Sequence, residues 1–209
     1  MNAPRPSIAQ LNDPGLFELI ADIAHSEVIV FVRHHLHRLS WITCLYWLLN
    51  AFAFAIIICR WRRSGLPAAG AFPTACLGMV VAYLLLLPVH EHAHAFAYRL
   101  LGARETRVRY QLRRLTALCE APGTVFSGRE FVLVCLAPLV IINPVLTALA
   151  CLVGQDKIGL LISGALLLHT GACSGDIALV NFVWQHRGRA QFTYDDAQQQ
   201  RGRFFRSIV

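Results

Sequence analysis

The sequence predicts an all-α integral membrane protein: about four transmembrane helices, an amphipathic N-terminal helix and a small β-hairpin-like cytoplasmic loop. Two observations carry this. Residues 41–59, 67–89, 131–154 and 158–175 form blocks of 19, 23, 24 and 18 residues without a single charged side chain. Each is near or above the length that crosses a hydrocarbon core as a helix. Charged residues make up only 15% of the 209-residue chain, where a soluble domain has about a quarter. A soluble enzyme with a water-facing surface is thereby excluded. The net charge of +7 does not point to nucleic acid either. Of the 19 basic residues 18 are Arg, and they sit mostly in loops and tail, which reports membrane topology rather than a DNA-binding face.

The elements follow in chain order. Residues 1–40 are expected to be an N-terminal cytoplasmic or interfacial segment, and their early acidic residues do not suit a cleaved signal peptide. Within it, residues 1–12 read as a flexible lead. Asp13-Pro14 reads as a helix start, and 14–39 as an amphipathic helix on the membrane surface. A membrane-embedded domain then covers 41–185, with spans at about 41–59, 68–101, 131–154 and 158–185. Arg60–Gly65 is expected to be a short outer loop, and Gly102 a helix C-cap. In the 102–130 loop, Thr106–Leu112 alternates as a strand does and Leu115–Glu120 is its candidate partner. Pro138 and Pro144 are expected to kink the third span. Residues 186–209 form a basic cytoplasmic tail, expected to be loose, with Phe192, Phe204 and Phe205 able to touch the membrane surface. With four spans, 14 basic residues fall on the side of both termini and four on the other, so the positive-inside rule gives N-in and C-in. Trp41, Trp61 and Trp184 fall at span ends, where interfacial aromatics belong. The seven cysteines contain no CxxC pair and read as buried small hydrophobes.

Chemistry is concentrated in His90-Glu91-His92-Ala93-His94, which fits H-E-x-x-H. On a helix, residues four apart lie about 40° from each other around the axis. His90 and His94 can therefore reach one metal ion, and Glu91 can face a water there as general base. His92 points away. The motif is short and arises by chance, but three His and a Glu at the end of an apolar span are costly to keep in a membrane. A third ligand is needed, and Asp176 in Ser174-Gly175-Asp176 is the only acidic residue within the later spans. His94 lies about 12 Å before Gly102 along its helix, and Asp176 about 14 Å before Gln185. Both spans run from outside to inside, so the two motifs meet at one depth near the cytoplasmic face. The bland alternative for Asp176 is a carboxylate paired with Arg99. Gly171 and Gly175 are candidates for close helix approach.

His169 shares a face with Asp176 and is a candidate replacement ligand, a partner of the ligands, or a packing histidine. Asn143 is a candidate for holding the substrate peptide or polarising its carbonyl, with a helix-kink hydrogen bond as the alternative. His34, His35 and His37 read as a solvated interfacial face.

Residues His90 to Arg104, HEHAHAFAYRLLGAR, resemble the active-site helix of the site-2 protease clan of intramembrane metalloproteases. Ser174-Gly175-Asp176 and the stretch Arg129-Glu130 through Leu136-Ala137-Pro138 resemble the pattern of a family of small bacterial membrane proteins named putative zincin peptidases. The resemblance covers about residues 75–185. It implies a membrane-embedded peptidase with Zn²⁺ held by His90, His94 and Asp176 and with Glu91 as base. It would hydrolyse peptide bonds of membrane or membrane-proximal proteins near the cytoplasmic face of a bacterial inner membrane. One departure bears on it. Site-2 proteases carry the third ligand in an Asn-Pro-Asp-Gly-like segment, whereas here the order is Gly-Asp and the only Asn-Pro is Asn143-Pro144. Two rival readings remain at this point: an inactive zincin-like protein that binds clients, and a metal transporter or sensor. Retention of Glu91 speaks against the first, and the apolar run from Val80 to Val89 against the second.

Overall fold

In the computed structural model, which describes residues 5–111, 116–154 and 156–208, the helices between residues 41 and 185 form one bundle and a small antiparallel sheet closes one end of it. The N-terminal segment is where expectation and structure part. Residues 8–11 form a short helix, α1, capped by Ser7, whose hydroxyl accepts from the Gln10 amide while the Gln10 side chain accepts from the Ser7 amide. Asp13 does not cap a helix; its Oδ1 accepts from Gly15 N–H in a tight turn. The expected helix over 14–39 is instead a strand, β1 (Phe17–Ala24), followed by a short helix, α2 (Val28–Leu36).

Helix α3 (Trp41–Ser64) starts at Ser40, whose Oγ accepts from the amides of Ile42 and Thr43. It ends at Gly65, the first residue with left-handed backbone, at φ 64°. The expected outer loop at Arg60–Gly65 is thus the last turn of α3 and its Gly65 cap, because Arg is a good helix former and nothing before Gly65 breaks the ladder. Helix α4 (Ala68–Leu100) is 33 residues long. Gly102 at φ 89° closes it, with Gly102 N–H on the Arg99 carbonyl and Ala103 N–H on the Tyr98 carbonyl, a Schellman pair. The expected hairpin is present as β2 (Arg107–Gln111) and β3 (Thr116–Glu120), antiparallel, with Arg107 opposite Glu120. Leu112 and Leu115 lie outside the described residues.

A two-residue strand, β4 (Phe126–Ser127), leads into α5 (Gly128–Leu152), capped by Ser127 and Glu130. The fourth span is two helices, α6 (Asp156–Ala172) and α7 (Ser174–Gln185), jointed at Cys173 just before Asp176. Among the described residues, four helical stretches are long and apolar enough to cross a membrane: 41–64, 68–100, 128–152 and 157–185. Phe52, Leu84, Leu85 and Val140 on these helices are more than half exposed, which water would disfavour and lipid would not.

The tail is folded. Strands β5 (Gln191–Asp196) and β6 (Arg201–Ser207) pair with each other, β6 pairs with β1, and β5 pairs with β4, giving the order β1-β6-β5-β4. One sheet therefore joins the N-terminal segment, the end of the α4–α5 connection and the tail. Those three segments share one side of any membrane the helices cross. Trp41 at the start of α3 meets Trp184 at the end of α7, ring centroids 5.3 Å apart, marking one level of the bundle.

The bundle is tightest between α4 and α6. Ala71, Ala75, Gly78 and Ala82 form a buried small-residue stripe on α4. Gly78 lies against the Leu161 carbonyl, and Gly164 of α6 against the Ala75 carbonyl. Gly171 and Gly175, expected to make the close approach, have only ordinary contacts with Asn50 and Val32.

His35 is not part of a solvated face. It is buried on α2 between Phe31 and Phe182, at ring-centroid distances of 4.3 and 5.2 Å, because α2 lies on α7. Burial pushes its imidazole down to about 4, and His34, Arg38 and His186 add to this. Unfolded, the ring titrates near pH 6.5. Between those values the unfolded chain takes up a proton that the folded chain refuses, so stability is full above about pH 6.5 and falls toward pH 4. Thermal midpoints should therefore drop as pH falls across this window, and His35→Leu should make the drop shallower; an unchanged slope in that variant contradicts the assignment.

Candidate metal centre

Helix α4 carries His90, Glu91 and His94, all buried, as its register requires. Asp176 comes from the first turn of α7. The structure brings three of the expected residues together: His90 Nε2 lies 3.2 Å from His94 Nε2 and 3.3 Å from Asp176 Oδ2, and His94 Nε2 lies 3.2 Å from Asp176 Oδ1. Arg99, the alternative partner considered for Asp176, bonds Thr106 instead. Glu91 lies beside the three, with the backbone amide of Cys119 on β3 against its carboxylate. His92 is exposed and bonds the Pro88 carbonyl at 2.7 Å.

His169 and Asn143 are also placed, and their hydrogen bonds have one consistent direction. Thr170 donates its hydroxyl to the Leu166 carbonyl, 2.7 Å away, so it accepts from the Asn143 amide nitrogen at 2.8 Å. Asn143 Oδ1 then faces His169 Nδ1 at 2.6 Å and accepts a hydrogen bond from its N–H. The lone pair of His169 Nε2 is left to accept from His90 Nδ1 at 3.3 Å. His90 Nε2 is then the nitrogen that faces Asp176. Asn143, on α5, is thus tied to both His169 and Thr170. His169 is placed against His90 and, with Cys173, completes a second grouping of potential donors around that ring.

The profile of the Putative zincin peptidase family matches residues 83–190, more than half of the chain and all of the residues above. The chain belongs to that family. No curated protein and no solved structure matches it. Membership in a zincin family implies a zinc peptidase, and the donor set suits that ion. Zinc takes imidazole nitrogen and carboxylate oxygen at about 2.0–2.2 Å in tetrahedral sites, which sets corner-to-corner distances near those between His90, His94 and Asp176.

His90, Glu91, His94 and Asp176 open onto a cavity of about 800 Å³. Its walls are mostly apolar and come from α2, α4, β3, α5, α7 and the sheet, with Phe31, Leu86, Leu118, Val134 and Phe204 among them. Two buried carboxylates had no signal in the sequence: Asp195 in this wall, and Glu120, the chain neighbour of the lining residue Cys119. Glu120 is 1% exposed and pairs with Arg109 at 3.1 Å and His25 at 3.7 Å. Asp195 accepts from the Ala121 amide at 3.1 Å; burial pushes its carboxyl up to about 6, against the lowering effect of that bond. Both depend on strand pairings between distant parts of the chain.

Proposed function

We propose that this zincin is a membrane-embedded peptidase, allied to the site-2 protease clan, that hydrolyses peptide bonds of membrane or membrane-proximal proteins near the cytoplasmic face of a bacterial inner membrane. The observation that carries the reading is the convergence of two imidazole nitrogens, a carboxylate and a neighbouring buried Glu at the wall of an apolar cavity within span-length helices. His90, His94 and Asp176 hold the zinc, and Glu91 is the base. Bound zinc supplies Lewis acidity, polarising the scissile carbonyl and lowering the pKa of an attacking water. Glu91 takes the proton from that water and delivers it to the leaving amine. His169 and Asn143 hold His90 in the tautomer that leaves Nε2 free.

A helical span hides its carbonyls in its own ladder, so a substrate must unwind locally before it is cut. Strand β3 supports where it goes. One edge of β3 pairs with β2; among the described residues no strand pairs with the other, and Ala117, Leu118 and Cys119 line the cavity. An unwound peptide added along β3 would pass Glu91 with its backbone satisfied and its apolar side chains in the cavity. The single-sheet junction of the N-terminal segment and tail supports placing both termini on one side, and the arginine bias supports calling that side cytoplasmic.

Metal removal tests the reading. A quenched fluorogenic peptide of ~20 apolar residues, reconstituted with the protein in liposomes, should be cleaved by wild type, spared after chelator dialysis, and cleaved again when zinc is restored. Cleavage that continues in metal-free protein contradicts it.

A further inference from the structure

In an α-helix the carbonyl of residue i accepts from the amide of residue i+4. Four residues after Val134 stands Pro138, which has no amide hydrogen. The Val134 carbonyl therefore loses its helical donor, and Val134 is 2% exposed, so water does not replace it. His94 Nδ1 lies 2.9 Å from that oxygen. A carbonyl only accepts, so Nδ1 carries a proton, which leaves Nε2, 3.2 Å from Asp176, as the nitrogen available to a metal.

We propose that Pro138 is a positioning residue of the metal centre: by withholding an amide from Val134, it supplies the acceptor that fixes the tautomer and ring plane of His94. This rests on the zinc reading above and adds to it a residue that touches neither metal nor substrate. A donor at position 138 would compete for the Val134 oxygen and weaken its bond to His94. Pro73, exposed near the start of α4, frees only the Ala69 carbonyl, far along the helix from His90.

The test uses two replacements with one side chain. Pro138→Ala restores the N–H; the α-hydroxy analogue of alanine at 138 has the same methyl but an ester oxygen in place of the amide. Both leave the same small void where the buried proline ring was. Zinc affinity, read by chelator competition, should fall about 10–100-fold in Pro138→Ala, the usual effect of losing a partner of a ligand. It should stay at the wild-type level in the ester variant and in Pro73→Ala. Equal losses in alanine and ester variants, or wild-type affinity in Pro138→Ala, overturn the inference alone. Should Pro138→Ala not fold, ¹¹³Cd-loaded wild type with ¹⁵N-labelled histidine decides: coupling of the metal to His94 Nε2 with a protonated Nδ1 supports the proposal, and coupling to Nδ1 overturns it. Wild type that takes up neither ion overturns the zinc reading and this inference with it.

Discussion

Glu91→Gln should slow peptide hydrolysis by about 10²–10⁴-fold, the range that a positioned general base contributes, while the protein keeps its zinc. Glutamine has the shape of glutamate but cannot accept the proton. Glu91 is not among the three groups that converge on the metal position, so the ligands should be undisturbed. Its surroundings explain why the effect should be large. The carboxylate is 5% exposed and sits beside both histidines, so no bulk water stands ready to take over as base. Initial rates on the reconstituted peptide, measured with zinc content on the same samples, give the comparison. A variant that retains zinc and cleaves as fast as wild type would remove Glu91 from the chemistry. One that retains zinc and loses cleavage also separates this zincin from a client-binding protein, which has no use for the base.

Gly78→Ala is expected to damage both the fold and the site. The added methyl would overlap the Leu161 carbonyl of α6. That oxygen belongs to the backbone and cannot swing aside as a flexible side chain would. Overpacking costs about 1–3 kcal/mol, occasionally more, and about 2–4 °C of Tm per kcal/mol at this chain length. The small-residue stripe that sets the α4–α6 spacing ends at Ala82, two turns before His90. Prising the helices apart there moves His90 away from His169 on α6 and from Asp176 on α7. Zinc affinity should therefore fall along with Tm. Gly171→Ala is the control, because the nearest atom to its methyl is Asn50 Oδ1 at 3.7 Å; it should leave both nearly unchanged. If Gly78→Ala melts with wild type, the close crossing is not what sets the spacing.

The spans, the hairpin and the convergence of His90, His94 and Asp176 follow signals that act within short stretches of chain. Long uncharged blocks, period-two alternation and a depth count along two helices each need only local geometry. The sheet did not announce itself for a physical reason. In β6, Phe204 faces the cluster with Phe131 and Phe182, while Phe205 faces Tyr194 and Leu11. Burial on both faces erases the alternation that marks a half-exposed strand. In β1, half of the run FELIADIA is Ala, Leu and Glu, good helix formers, and pairing with β6, more than 170 residues later, overrides that propensity. Pro138 and Pro144 were visible in the sequence as candidate kinks, but the exchange of partners that Pro138 permits was not. Its freed carbonyl acquires a role only once α4 is packed against α5. The stripe Ala71, Ala75, Gly78, Ala82 was written in the sequence at helical spacing, and weighing small residues within spans would have located the α4–α6 contact that Gly171 and Gly175 do not make.

The central claim is that His90, His94 and Asp176 together hold one zinc ion, and metal analysis of purified protein tests it most directly. Wild type should carry one zinc per chain, and His94→Ala and Asp176→Ala should each lose it while remaining folded by circular dichroism. Full zinc content in Asp176→Ala would contradict the assignment and move the third ligand to His169, the other donor beside His90.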